Sequence, residues 1–141
     1  MADELRYSDL MLHAAQRLRE AGIDTPQREA RLLMSVAAEL STTQLIIREQ
    51  DVAPQAIATK FDALVERRTA REPFAHIAGE QSFYGLSFVS DRRALIPRPD
   101  SERVVELALE RLKTDAPLKI ADLGTGSACL LIAILKSRPL V

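Results

Sequence analysis

Residues 119–136 read KIADLGTGSACLLIAILK, and this stretch decides how the second half of the chain folds. The short run from Lys119 to Leu123 predicts a strand, the glycines after it predict a turn, and the apolar run from Ala128 to Lys136 predicts a helix. A strand, a glycine turn and a helix in this order open a Rossmann-like βαβ unit. The sequence therefore predicts the start of an α/β domain here.

The turn supplies the candidate cofactor-binding residues, which run from the end of the predicted strand to the start of the helix: Asp122, Gly124, Thr125, Gly126, Ser127 and Ala128. Glycine lets the main chain approach a ligand, and a helix N-terminus presents unpaired N–H groups to negative charge. Dinucleotide sites need a third glycine where this chain has Cys129, which disfavours a pyrophosphate. S-adenosylmethionine sites place an acidic residue two positions before the first glycine, as Asp122 stands here, although their last glycine is replaced by Ala128. An ordinary turn without a ligand is the alternative.

Before residue 72, apolar residues recur at helical spacing and predict a small N-terminal helical bundle. The first helix is expected to end at Gly22, and Pro26 and Ser41 are placed to open the second and third. A fourth helix follows Pro54 and ends in three basic residues, Arg67, Arg68 and Arg71. Such a cluster indicates either a solvated helix end that complements the helix dipole or a contact with an acidic partner or a nucleic acid.

Residues 79–90, GEQSFYGLSFVS, alternate in polarity and predict a β-hairpin with Gly85 near its turn. Its aromatic residues indicate either packing or a contact with substrate. A short strand is predicted from Ala94 to Ile96, and Asp100 or Ser101 is placed to cap a further helix. One side of that helix is expected to carry Val104, Leu107, Ala108 and Leu112.

The predicted class is thus α+β, with a helical domain at 1–72, a β-hairpin linker at 73–97 and an incomplete α/β domain at 98–141. The chain has 141 residues, with 19 Lys and Arg against 20 Asp and Glu, so its composition offers no argument for direct nucleic acid binding. His13 and His76 lack neighbours at ligand spacing, which argues against a metal site. A single cysteine, a charged N-terminus and no membrane-length apolar run predict a cytoplasmic protein.

Three segments, FYGLSF at 83–88, LIPRPDSE at 95–102 and IADLGTGSACLL at 120–131, occur in an order that resembles the release factor glutamine N5-methyltransferase family. The resemblance implies a helical domain that helps recognise peptide-chain release factors, joined through the hairpin to a class I methyltransferase domain. It also implies S-adenosylmethionine as cofactor and the glutamine amide of a Gly-Gly-Gln motif as substrate. Arg98, Asp100 and Glu102 match the family segment beside the pocket, with Ser101 where threonine is more frequent.

In that family an Asn-Pro-Pro-Tyr segment orients the substrate amide, whose nitrogen is a poor nucleophile. The present sequence contains no asparagine, so no catalytic residue is assigned. The chain is accordingly expected to be the N-terminal part of such an enzyme and to be inactive alone. A non-catalytic helical module that binds a protein partner is the rival hypothesis.

Overall fold

The structure, a computed structural model, describes residues 5–112 and 117–138. The chain divides between Ala78 and Gly79 into two compact units. The first unit is helical, and the second combines a two-stranded antiparallel sheet with helices. The predicted α+β class is confirmed.

Within residues 5–78 the first unit has five helices: α1 (Tyr7–Glu20), α2 (Pro26–Ala38), α3 (Thr42–Arg48), α4 (Gln55–Thr69) and α5 (Phe74–Ala78). Helices α1, α2 and α4 pack on one another, and the predicted apolar stripes form their shared core. Leu18, Leu33 and Val65, one from each helix, are fully buried. The predicted helical bundle is therefore confirmed, because its apolar stripes fall on the faces that the helices turn toward each other.

Local sequence signals set two of the predicted helix boundaries. The Ser41 hydroxyl accepts a hydrogen bond from the Gln44 N–H at 3.2 Å, and the Gln44 side chain accepts one from the Ser41 N–H at 2.9 Å. At the end of α1, Gly22 has φ +68°, and the Ile23 N–H reaches the Leu18 carbonyl at 2.9 Å. These are a capping box and a Schellman motif, which satisfy backbone groups that a helix end leaves open.

The end of α4 has the same Schellman-type hydrogen bonding as the end of α1, but with Arg71 in place of glycine. Arg71 has φ +68°, and its backbone N–H donates to the Arg68 carbonyl at 3.0 Å. Its guanidinium donates a further hydrogen bond to the Gly22 carbonyl at 3.1 Å. The ends of α4 and α1 are therefore joined by one side chain.

The other two arginines at this helix end form ion pairs. Arg67 holds Glu72 through two hydrogen bonds of 2.8 and 2.9 Å, which raise the pKa of Arg67 above its ordinary value. Arg68 donates to Glu29 of α2 at 2.8 Å, and their side chains are only 17% and 18% exposed. The expectation of a solvated cluster is therefore wrong for Arg68. Its partner is the half-buried carboxylate of Glu29, which lies 39 residues away in the sequence, so no local pattern predicts the pair.

The sequence pattern does not predict helix α5 (Phe74–Ala78). Its residue Ile77 is buried, and Phe74 packs against the core of the first unit. The first unit consequently ends at Ala78, whereas the predicted linker begins at residue 73. Burial of these two apolar side chains keeps the segment with the helices that precede it.

The second unit begins with the predicted hairpin. Strands β1 (Glu80–Phe83) and β2 (Leu86–Val89) pair antiparallel, with Phe83 opposite Leu86 and Glu80 opposite Val89. Tyr84 and Gly85 form the turn with φ of +50° and +72°. Positive φ at both central positions is the two-residue turn whose twist matches that of paired strands.

Two helices follow the hairpin in the described residues: α6 (Glu102–Arg111), preceded by a 3-10 turn at Pro99–Ser101, and α7 (Cys129–Ser137). They pack on each other, and Val105 and Ala133 are fully buried in the core of this unit. The predicted buried side of α6 is wrong at Val104, which is 54% exposed. Adjacent valines both fit a helical period, and only the position of α7 decides which one points inward.

Both single strands predicted in this unit are wrong. Ala94–Ile96 and Lys119–Leu123 have no strand structure, and the hairpin is the only sheet within the described ranges. A strand exists only where a neighbour pairs with its N–H and C=O groups, and neither segment has such a neighbour here. The Rossmann-like start at 98–141 therefore stays a prediction.

Candidate functional site

The glycine turn at residues 122–128 follows a left-handed path at alternate positions. Gly124, Gly126 and Ala128 have φ of +81°, +54° and +60°. A Cβ atom added at either glycine would meet no heavy atom within 4 Å outside its chain neighbours. The main chain of the turn therefore faces open space, which is what close approach of a ligand to the backbone requires.

Hydrogen bonds within the turn fix its shape. The Thr125 hydroxyl donates to the Asp122 carboxylate at 2.9 Å, and the Ala128 N–H donates to the Thr125 carbonyl at 2.7 Å. Helix α7 begins directly afterwards at Cys129, and its first N–H groups lack partners within the helix. Ala128, in the position where the cofactor pattern has glycine, adopts a conformation that favours glycine.

A cavity of about 300 Å³ opens beside this turn, within the second unit. Gly126 and Ser127 form one wall, and the end of β2 with the segment after it forms the rest, at residues 88–91, 93–95 and Pro97. Phe88 belongs to this wall and also packs edge-on against Phe83, with ring centroids 6.4 Å apart. Packing and cavity lining are thus combined in one aromatic side chain.

The sequence does not predict the polar wall of the cavity. Ser90 is buried, and its N–H donates to the Gly79 carbonyl at 2.9 Å. Arg93 and Asp91 face each other with contacts of 2.6 and 2.9 Å, and this hydrogen bonding raises the pKa of Arg93 above its ordinary value. The sequence DRR at 91–93 carries no periodic signal, so nothing in it points to a cavity.

Arg98, Asp100 and Glu102, the three candidate residues in the PRPDSE segment, do not line the cavity, although Pro97 of the same segment does. Arg98 and Asp100 are exposed, and neither forms a side-chain hydrogen bond or ion pair with the described residues. The Glu102 carboxylate accepts a hydrogen bond from the Tyr84 N–H at 2.8 Å. Glu102 thereby ties the hairpin turn to the first residue of α6, a role that the spacing of the two residues in the sequence does not indicate.

The remaining candidates take no part in this site. His13 is exposed and His76 half-buried, and residues 5–112 and 117–138 contain no group of three or more metal-ligating side chains. Cys129 is a free, buried thiol. No described helix combines the length and the apolar character needed to cross a membrane.

Comparison with known proteins gives a family for the chain. The family model of the PrmC N-terminal domain matches residues 9–79, which include all of helices α2 to α5 and α1 from its third residue onward. That match covers the helical unit and does not reach the glycine turn.

Curated relatives extend the similarity across nearly all of the chain. The release factor glutamine methyltransferase of Deinococcus radiodurans is 36% identical over 136 residues, which cover 96% of this chain and 49% of that protein. The proteins of the same name from Nitratidesulfovibrio vulgaris and Bradyrhizobium diazoefficiens are 36% and 40% identical over 129 residues. The chain spans about half the length of the curated relatives it matches. The family model matches residues 9–79, half of the chain, and the curated relatives are similar to nearly all of it. The chain therefore belongs to the release factor glutamine methyltransferase family.

Proposed function

We propose that this chain provides the helical substrate-recognition unit and the cofactor turn of a methyltransferase that uses S-adenosylmethionine. Its substrate is the glutamine side-chain amide in the Gly-Gly-Gln motif of a peptide-chain release factor. The observation that carries the proposal is the turn at 122–128, whose glycines face open space beside a cavity at the start of α7.

The described residues fit the methionyl end of this cofactor. The exposed main chain at Gly124 and Gly126 leaves room for close approach, and N–H groups at the start of α7 favour a carboxylate. Asp122 is held by Thr125, so its carboxylate stays at the base of the turn. When bound, the cofactor supplies the methyl group that is transferred to the amide nitrogen.

The substrate side rests on fewer residues. Arg98 and Asp100 are exposed and without side-chain partners in the described part of the chain, which leaves both free to meet a substrate loop. The Glu102 carboxylate is already engaged by Tyr84, so we assign it the positioning of the hairpin. The 141-residue polypeptide contains no asparagine to orient the amide, and we expect it to bind cofactor without turnover.

Calorimetric titration with S-adenosylmethionine tests the cofactor proposal. Gly126→Ala adds a methyl group at the cavity wall, and Gly85→Ala makes the same change in the hairpin turn, which does not line the cavity. Both glycines have positive φ and open space at the Cβ position, so the backbone penalty is matched. We expect Gly126→Ala to weaken binding about tenfold or more relative to Gly85→Ala, because the methyl group occupies ligand space. Equal affinities in the two variants would contradict the proposed site.

A methyl-transfer assay with a release factor that carries the Gly-Gly-Gln loop tests the expected lack of turnover. Transfer by the 141-residue polypeptide above a control without protein would show that this expectation is wrong.

The rival hypothesis of a non-catalytic protein-binding module predicts no heat with S-adenosylmethionine. It therefore separates from the methyltransferase proposal in the calorimetric titration alone.

A further inference from the structure

The first unit has a groove between α2 and α3 that takes no part in the cofactor site. Its volume is about 390 Å³, and it is lined by Gln27, Arg28, Arg31, Leu32, Thr42 and Ile46. We call this the α2–α3 groove. All six residues belong to the unit matched by the PrmC N-terminal domain model.

The charge of the α2–α3 groove is one-sided. Two of its six lining residues are arginines and none is acidic. Arg28 and Arg31 are exposed, and neither side chain forms an ion pair or hydrogen bond with any residue in the described ranges. Glu29, on the same helix as these two arginines, is instead paired with Arg68 of α4. Two unpaired guanidinium groups on one groove favour a carboxylate-bearing partner.

The floor of the groove is apolar. Leu32 is half-buried, and Ile46 is 54% exposed. Exposed apolar side chains beside charged residues are typical of protein docking sites.

We propose that the α2–α3 groove binds an acidic, partly apolar segment of the release factor, with carboxylates on Arg28 and Arg31 and an apolar side chain on Ile46. This inference rests on the proposed function for the identity of the partner. The groove belongs to the first unit and the cofactor turn to the second, and none of the six residues that line the groove lines the cavity beside that turn.

Binding of the full chain to a release factor, measured by biolayer interferometry, tests the groove. The test variant is R28E/R31E, and the matched control is R19E/R48E. The control makes the same charge change at two exposed arginines outside the groove whose side chains have no partner in the described part of the chain. We expect about tenfold weaker binding for the groove variant and at most about a twofold change for the control. Circular dichroism confirms that both variants keep their helices.

Further measurements separate the possible failures. Raising the salt from about 50 to about 300 mM should weaken the wild-type complex more than the R28E/R31E complex, because screening acts on the charges that the variant lacks. Ile46→Ala should weaken binding without changing that salt dependence. If both double variants lose affinity equally, the groove is refuted while the release factor remains the partner. If the wild-type chain binds no release factor, both the partner and the groove assignment fail. If R28E/R31E loses affinity for an RNA oligomer but keeps its affinity for the release factor, the proposal that the groove binds an acidic protein segment is refuted.

Discussion

Replacing Ala128 with glycine should stabilise the second unit. Ala128 has φ +60° and ψ 16°, a left-handed conformation that costs an L-residue about 1 to 2 kcal/mol. Glycine removes this cost but adds unfolded-state entropy worth about 0.4 to 1 kcal/mol. The net gain lies between about 0 and about 1.6 kcal/mol, and its central value of about 0.8 kcal/mol corresponds to about 3 to 6 °C in the melting temperature of a domain of this size.

Tyrosine fluorescence during urea and thermal unfolding measures this gain. The chain has two tyrosines and no tryptophan, so a Tyr7→Phe background leaves Tyr84 in the hairpin turn to report on the second unit. Gly85→Ala in the same unit is the reverse control, since Gly85 has φ +72° and open space at the Cβ position. It should lose about as much stability as Ala128→Gly gains. A lowered midpoint for Ala128→Gly would refute the left-handed turn at the start of α7.

Further substitutions test the packing of α6 and the ion pairs of the first unit. Val105→Ala should cost about 1 to 2 kcal/mol in urea unfolding because Val105 is fully buried, whereas Val104→Ala, at a position 54% exposed, should change stability by less than about 0.5 kcal/mol. Equal costs would contradict the orientation of α6. Arg68→Ala should cost about 2 kcal/mol because it strands the half-buried carboxylate of Glu29, and a double-mutant cycle with Glu29→Ala isolates the coupling. Asp62→Ala removes an exposed ion pair and should cost less than about 0.5 kcal/mol, so a larger loss there would reverse the ranking by burial.

The helical unit could be predicted from the sequence because its signals are local. Ser41 with Gln44 and Gly22 with Ile23 fix helix ends within a few residues, and the apolar stripes need only one another. The hairpin was predictable for the same reason, since the Tyr84 turn lies between strands adjacent in sequence. Contacts between residues far apart in the sequence, such as that of Arg68 with Glu29, produce no local sequence pattern from which they could be predicted.

The candidate site could be predicted only in part. The spacing of Gly124 and Gly126 identified the turn, but the strand predicted before it depends on a neighbour that the described residues do not contain. The opposite wall, at Ser90 and Arg93, is brought to the turn by tertiary packing. Glu102 matches a family motif, yet its hydrogen bond to the hairpin became visible only in three dimensions.

The hydrogen bond from Arg71 to the carbonyl of Gly22 joins two helix ends that are 49 residues apart in the sequence. Fraying of a helix end is ordinarily an independent opening of low free energy. Unwinding of the chain around Arg71 would release the guanidinium from the reversal after α1. We therefore expect the opening of either helix end to favour the opening of the other by about 0.5 to 1.5 kcal/mol, the contribution of one hydrogen bond.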